Sequence, residues 1–279
     1  MRFRIPKIEN LEKCTKLTTL LLRKNLIKKL EGLDNNVLLE ELEMYDNRLR
    51  HIDNIGHLVN LTFLDLSFNR IKEIGGMDTL VNLKKLYVSS NRIKKMENLN
   101  TLVNLSVLDV GDNRIRKIEG IDKLVNLREF HAAKNKLQVI EGLDTLVNLE
   151  LVAMQVNFIH KIGGLENLSK LEELYLQQNQ VKEIGGLEAN LCLETLDLAM
   201  NKLTKFGGLE HLSTEGTKTL RELWLNWNYI EDSVENREYM TRLGTLKTIY
   251  LADNPLSLGD DYQKMMVDAI PGLQQIDGN

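Results

Sequence analysis

Apolar residues recur along the chain in one arrangement that returns with a fixed period. A clear copy of this frame surrounds Asn69 and consists of Leu61, Leu64, Leu66, Ile71, Ile74, Met77 and Leu80. The polar residue at its centre is an asparagine that returns every 22 residues, at Asn25, Asn47, Asn69, Asn91, Asn113, Asn135, Asn157, Asn179 and Asn201. A period this strict indicates that the chain is built from stacked copies of one short structural unit.

Each period predicts one strand followed by one return segment. Leu64 and Leu66 are two residues apart, so both side chains point to one side of a short strand, which is the core side. The apolar residues after Asn69 are spaced by three, which suits a tight helical turn or 3₁₀ segment on the convex side. The frame is that of leucine-rich repeats. We therefore predict an α/β leucine-rich-repeat solenoid, a horseshoe with a parallel concave sheet of about eleven strands.

The recurring asparagine is predicted to be structural. Its amide can donate to and accept from backbone groups that the bend leaves unpaired. Stacked coils would repeat these bonds as a ladder, and we assign the asparagines no ligand.

The spacing lengthens toward the C-terminus. Asn228 and Asn254 follow at steps of 27 and 26 residues, which indicates inserted segments on the convex side. The second insertion is long enough for a true helix, and the C-terminal residues stay apolar at helical spacing. The predicted organisation is an N-terminal partial repeat or cap at 1–16, about eleven coils at 17–256 with insertions near 213–217 and 232–246, and a C-terminal cap at 257–279.

Composition disfavours two classes of partner. Lys and Arg number 36 against 40 Asp and Glu, for a net charge of −4, and no basic run is present. No apolar stretch approaches the roughly 20 residues that span a bilayer, so we predict binding neither to nucleic acid nor to membrane. The first ten residues lack the apolar stretch of a secretory signal, which predicts an intracellular protein. Cys14 and Cys192 are predicted to be reduced, buried or semi-buried thiols.

The predicted concave face carries an unusual set of residues. It consists of the positions six, four and two before each asparagine, which point away from the core. These positions hold only two bases, Arg23 and Lys85, whereas the remaining residues have 32 acids and 34 bases. Their eight acids are Glu41, Glu43, Asp65, Asp109, Glu129, Glu173, Asp197 and Glu222. This acidity predicts a partner with a basic patch.

Aromatic residues share the same face, at Tyr45, Phe63, Tyr87, Tyr175, Trp224 and Tyr250, with His131 among them. Exposed rings on a sheet surface are typical interface anchors. Trp224 and Trp227 lie on or beside the face, which points to this coil as the main anchor. The alternative is that the rings merely cover neighbouring coils. Eleven strands at about 4.8 Å describe an arc of about 50 Å, which fits a folded protein domain better than a small molecule.

Motifs for catalysis or cofactors are missing from the sequence. The stretch Gly216–Thr219 lacks the Gly-Lys-Ser/Thr ending of a phosphate loop. Asp65 and Asp109 stand two coils apart, about 10 Å by strand spacing, and are better explained as solvated residues than as an acid–base pair. None of the five histidines has a partner at metal-ligand or triad spacing. They are His51, His57, His131, His160 and His211. We predict no enzyme activity, no cofactor and no metal.

The uniform coils also carry a family resemblance. The chain resembles the intracellular leucine-rich-repeat subfamily of 22-residue coils represented by the regulatory subunit of protein phosphatase 1. The resemblance covers nearly the whole chain and is closest at 22–28, Tyr45–Asn47, Leu66–Arg70 and Ile270–Asp277. It implies that the phosphatase catalytic subunit docks on the concave face through Asp65, Tyr87, Asp109, Asp197, Glu222, Trp224 and Tyr250, with His131 where the family pattern suggests a larger aromatic.

Two functions are therefore considered. The first is a non-catalytic regulatory subunit, monomeric by itself, that binds the phosphatase catalytic subunit in the nucleus and cytoplasm. The alternative is a scaffold in an RNA–protein or cytoskeletal assembly that binds another basic protein through the same face.

Overall fold

The computed structural model describes residues 4–212 and 220–278. They fall into two compact units, Met1–Lys136 and Leu137–Asn279. The predicted insertion near 213–217 and the Gly216–Thr219 stretch lie outside the described residues.

Each unit contains parallel strands that pair in chain order, as the leucine-rich-repeat prediction requires. The first unit holds β1 (Thr19–Leu21), β2 (Glu41–Glu43), β3 (Phe63–Asp65), β4 (Lys85–Tyr87), β5 (Val107–Asp109) and β6 (Glu129–His131). The second holds β7 (Leu151–Ala153), β8 (Glu173–Tyr175), β9 (Thr195–Asp197), β10 (Glu222–Trp224), β11 (Thr248–Tyr250) and β12 (Gln275–Ile276). The predicted fold class is confirmed, and β12 is the strand beyond the predicted eleven.

Apolar residues from the strands and from the return segments share one core. Leu64 and Leu66 are fully buried, as are Ile71, Ile74 and Met77. The return segment forms single turns closed by bonds between residues three apart, such as Leu80 N to Met77 O at 2.9 Å. Continuous helices do not form in this coil, because residues with positive φ interrupt it.

Gly76 shows how closely neighbouring coils approach. Its φ is +68°, and a Cβ at this position would overlap the carbonyl oxygen of Ile52 in the preceding coil. Only glycine satisfies both conditions.

The buried asparagines form the predicted ladder. Asn113 Oδ1 accepts from Ile93 N of the preceding coil at 2.9 Å. Its Nδ2 group donates to Val88 O of that coil and to Val110 O and Gly111 O of its own coil, each at 3.0 Å. One side chain therefore satisfies backbone groups on both sides of a coil boundary.

Helix α1 (Val234–Thr241) lies within the second predicted insertion. Ser233 Oγ caps it by accepting from Asn236 N at 3.2 Å. Asn236 is buried and ties the helix to the coil before it, because its Oδ1 accepts from Phe206 N at 3.1 Å and its Nδ2 donates to Thr204 O at 3.3 Å. The same Nδ2 also donates to Glu231 O of its own coil at 2.8 Å. The helix thus replaces a return turn without breaking the stack.

The C-terminal residues close the last coil with a helix and a strand. Short 3₁₀ helices occur at Glu210–Leu212 and Pro255–Leu258, and helix α2 (Tyr262–Ala269) precedes β12. Asp277 Oδ1 accepts from Leu251 N at 2.6 Å and from Ala252 N at 2.8 Å. Its Oδ2 accepts from the buried Tyr262 hydroxyl at 3.0 Å. Asp277 therefore satisfies backbone groups of the coil before it, as the asparagines do in the other coils.

The predicted burial of the cysteines is wrong. Cys14 and Cys192 are both free and exposed. Cys14 occupies a frame position that is buried in later coils, as at Leu58. Cys192 lies a whole number of 22-residue periods after Asn60 and Asn82, so all three share one coil position. Asn60 and Asn82 are exposed too.

We expect Asn113→Ala to lower the free energy of unfolding by about 2–3 kcal/mol, because it leaves buried backbone groups without partners. Asn126→Ala is the matched control. Asn126 is exposed and donates a single bond to Val103 O at 2.9 Å, so its loss should cost less than about 0.5 kcal/mol. Urea unfolding of both variants measures the difference, and equal losses would contradict the special role of the buried ladder.

Candidate functional site

The first unit aligns four of the predicted docking residues on the strand face opposite the core. The parallel register pairs Asp65 with Tyr87, Tyr87 with Asp109, and Asp109 with His131. The four therefore stand on adjacent strands about 4.8 Å apart. All four are half-buried. We call them the first-unit row.

The second unit carries a corresponding row. The register pairs Tyr175 with Asp197, Asp197 with Trp224, and Trp224 with Tyr250. Glu222 lies two residues before Trp224 and so projects from the same face of β10. We call these five residues the second-unit row. This row contains all the predicted site residues of the second unit.

Three aspartates in these rows are fixed by their own turns. Each carboxylate accepts a bond from the backbone N–H two residues later, which holds the side chain in one orientation. The donors are Ser67 N for Asp65, Gly111 N for Asp109 and Ala199 N for Asp197, at 2.8, 2.8 and 2.9 Å. These aspartates therefore close a turn as well as charging the face.

Partial burial makes the Asp109 carboxylate costly to ionise. Burial raises the pKa of Asp109, while the Gly111 N–H, His131 and the Ser89 hydroxyl oppose that rise and the charge of Asp65 adds to it. His131 Nε2 also lies 3.3 Å from Glu129 Oε2. A cation from a partner would stabilise the ionised carboxylate in this setting.

Asp197 is the most buried member of either row, with 1% of its surface exposed. Burial raises the pKa of Asp197 to about 6, against the opposing bond from Ala199 N. Tyr175, Trp224 and Tyr250 stand on the strands around it. With so little of its surface exposed, Asp197 offers almost no area for direct contact with a partner.

Aromatic rings pack against each other on the strand face of both units. Phe63 and Tyr87 have centroids 5.4 Å apart, and those of Trp224 and Tyr250 are 5.1 Å apart. Trp224 Nε1 is shielded from solvent and has no hydrogen-bond partner among the described residues. An indole N–H without an acceptor is unfavourable, and a carbonyl or carboxylate oxygen from a partner could satisfy it. Trp227, by contrast, is 54% exposed.

The acidity of the face is smaller than the sequence predicted. Glu43 is 4% exposed and forms an ion pair with Arg23. With Asp197 also buried, the acids that reach the surface are Glu41, Asp65, Asp109 and Glu129 in the first unit, and Glu173 and Glu222 in the second.

Tyr175 is a member of the second-unit row to which the family resemblance assigns no role. Its hydroxyl donates to Glu173 Oε2 at 2.5 Å. Burial and this bond raise the pKa of Tyr175, so the phenol stays protonated as a fixed donor. The sequence indicated this place on the face, because Tyr175 lies four residues before Asn179, the coil position that Tyr87 holds before Asn91.

The described residues offer a surface rather than a metal centre. No cluster of three or more His, Cys, Asp or Glu side chains in 4–212 and 220–278 is placed to hold a metal ion. In the same ranges, the helices are too short and too polar to span a bilayer.

Comparison with protein families identifies the repeat. The family model described as "Leucine Rich repeats (2 copies)" matches residues 81–123 and 169–213, and a second, "Leucine Rich repeat", matches 57–78. No curated protein sequence matches the chain significantly.

Solved structures show the same fold. A leucine-rich-repeat protein of Leptospira interrogans is similar at a TM-score of 0.75 and 22% identity, over 95% of this chain and 73% of that one. The internalin InlF of Listeria monocytogenes is similar at a TM-score of 0.63 and 22% identity, over 95% of this chain and 88% of that one. Internalin C2 of the same organism is 31% identical over 59% of this chain and 74% of its own, with a TM-score of 0.56.

We expect Asp197→Asn to stabilise the protein near neutral pH. The folded-state pKa of about 6 lies above the ordinary value of 3.8, so ionisation costs folding free energy at every pH above both values, up to about 3 kcal/mol. The gain should shrink as the pH falls through 6 and vanish below about 4, where the carboxyl is protonated in both states. The amide oxygen can still accept from Ala199 N.

Thermal unfolding at several pH values measures this effect. Asp65→Asn, at the same coil position but half-exposed, controls for the change to an amide and should alter stability by less than about 0.5 kcal/mol. A destabilised Asp197→Asn at neutral pH would show that the ionised carboxylate contributes favourably.

Proposed function

The chain belongs to the leucine-rich-repeat family, and from this we propose that it is a non-catalytic protein that binds another protein through its first-unit and second-unit rows. Leucine-rich-repeat proteins generally act as binding scaffolds rather than enzymes. The rows support this function, because their side chains project from the strand face opposite the apolar core.

The observation that carries the proposal is the environment of Trp224. This residue combines a large ring, a neighbouring ring in Tyr250 that is tilted against it, and an N–H without an acceptor. Glu222 adds a carboxylate on the same strand face. Partly buried aromatic residues of this kind dominate the binding energy of many interfaces.

For the partner we propose the catalytic subunit of protein phosphatase 1. The first support is the sequence resemblance. The second is that the docking residues it implies lie together in the first-unit row and in the second-unit row. The six acids at the surface favour a basic patch on the partner. Binding would then regulate the phosphatase by occupying its surface. By the same resemblance, this regulation would take place in the nucleus and cytoplasm.

The second candidate is a scaffold in an RNA–protein or cytoskeletal assembly. It needs the same acidic and aromatic rows but a different basic protein. Affinity purification from cells separates the two, because recovery of splicing or axonemal proteins without the phosphatase would favour the scaffold.

We expect Trp224→Ala to weaken binding to the purified phosphatase catalytic subunit by about 2 kcal/mol or more, which is about thirtyfold in Kd. Trp227→Ala is the matched control from the same coil, and its exposed side chain lies outside the row. It should change binding by less than about 0.5 kcal/mol. Isothermal titration calorimetry gives both values.

The double variant Trp224→Ala with Glu222→Ala provides the decisive outcome. If its circular dichroism and melting temperature match those of the unchanged chain while it binds the phosphatase equally well, the rows are not the docking site.

The surface acids should also speed association. We expect the association rate to fall several-fold as ionic strength rises from about 0.05 M to 0.5 M, because screening shortens the reach of the charges to less than about 10 Å. The dissociation rate should change less. Stopped-flow fluorescence measures both rates, and a salt-independent association rate would argue against electrostatic steering.

A further inference from the structure

The first unit carries a second charged surface, distinct from its row. It is formed by bases that lie one and three positions after the recurring asparagines. Ten of the eleven residues at these positions in the first unit are basic and exposed, and the exception is Leu26. We call this surface the basic strip. Its members are Arg48, Arg70, Arg92, Arg114 and Lys136 in one file, and Lys28, Arg50, Lys72, Lys94 and Arg116 in the other. The sequence shows no basic run because these residues are spread over more than a hundred positions.

The fold holds the bases on a rigid ladder. The backbone N–H of Arg70 donates to Leu49 O, that of Arg92 to Ile71 O and that of Arg114 to Ile93 O, each at 2.8 Å. Consecutive bases of one file therefore stand about one strand spacing apart. Five such bases extend over about 19 Å at about 4.8 Å per step.

Clefts lie between the bases and run into one another. One of about 260 Å³ is lined by Arg50, Arg70, Lys72 and Arg92. A second, of about 380 Å³, shares Lys72 and Arg92 with the first. A third, of about 470 Å³, shares Lys94 and Arg114 with the second. The three clefts therefore follow one another along the strip and share lining side chains.

The fold does not require bases at these positions. The same coil positions of the second unit are mostly neutral or acidic, with Phe158, Gln180, Thr204, Tyr229 and Glu231 among them and only Lys182 and Lys202 basic. None of the ten strip bases forms a salt bridge within the described residues. Stacked like charges without partners are unfavourable for the isolated chain, so the strip is explained by something that binds it.

We propose that the basic strip binds an extended, carboxylate-rich segment of another protein. Four of the five residues in the first file are arginines, whose planar guanidinium groups pair with carboxylates through two parallel bonds. An extended segment of about six residues spans the file at about 3.4 Å per residue. The clefts have room for single side chains, and the methylene stems of the bases supply apolar walls.

Nucleic acid fits the strip less well. Proteins that bind single strands usually stack bases on aromatic rings, and the three clefts are lined by Lys, Arg and Glu alone. Glu73 and Glu97 line the second cleft and Glu119 the third. These carboxylates can accept from the backbone N–H groups of a peptide, a bond that the phosphate backbone of a nucleic acid cannot offer.

A labelled peptide tests the proposal on the full chain. The probe is a fluorescein-labelled oligoglutamate of about ten residues, long enough to cover the strip, and fluorescence anisotropy at low salt gives Kd. The triple variant Arg70→Gln, Arg92→Gln and Arg114→Gln should raise Kd about tenfold or more. The matched control removes three exposed lysines of the second unit, Lys161→Gln, Lys182→Gln and Lys202→Gln, and should change Kd less than about twofold.

Each other outcome overturns the proposal. Absence of binding at low salt, or equal losses in the triple variant and its control, would exclude a specific site on the strip. An oligothymidylate of the same length, or phosphatidylserine vesicles, binding more tightly than oligoglutamate would reassign the strip to a phosphate-bearing partner. Phosphatase binding by the triple variant is measured in parallel and should be unchanged, so failure here is distinguishable from failure of the proposed function.

Discussion

Each coil buries backbone groups in its bend, and the amide of one asparagine satisfies them. In Asn113 a single side chain makes four bonds, two to the preceding coil and two to its own. The carboxylate of Asp277 takes over this task at the C-terminal end, with Tyr262 holding it in place. Because these bonds and the apolar frame stabilise the stack, most other positions are free of structural demands.

That freedom explains how one small coil can present different surfaces. The residues before the asparagine build the rows of acids and rings, and those after it build the basic strip of the first unit. The aspartates of the rows combine a structural role in a turn with a position on the strand face. Asp65 and Asp109 close turns and remain at the surface, whereas Asp197 closes its turn while almost fully buried, and its pKa is raised to about 6.

The two charged surfaces also suit different partners. A folded protein with a basic patch matches the rows, where rings can supply most of the binding energy. An extended acidic segment matches the strip, where arginine side chains provide paired bonds and the clefts are narrow. A scaffold with both surfaces could hold two proteins, or two parts of one protein, at the same time.

The sequence by itself determined the coil, the core and the ladder, because period, apolar spacing and asparagine position are local properties repeated many times. It also placed Asp65, Tyr87, Trp224 and Tyr250 on the strand face, since alternation along a strand decides the direction of a side chain. Only the tertiary structure decided how accessible those side chains are. Burial of Asp197 and pairing of Glu43 with Arg23 depend on neighbours about 20 or more residues away. The exposure of Cys14 and the basic strip have the same cause. Contacts between coils, rather than between sequence neighbours, decide which side chains reach the surface and which lie side by side there.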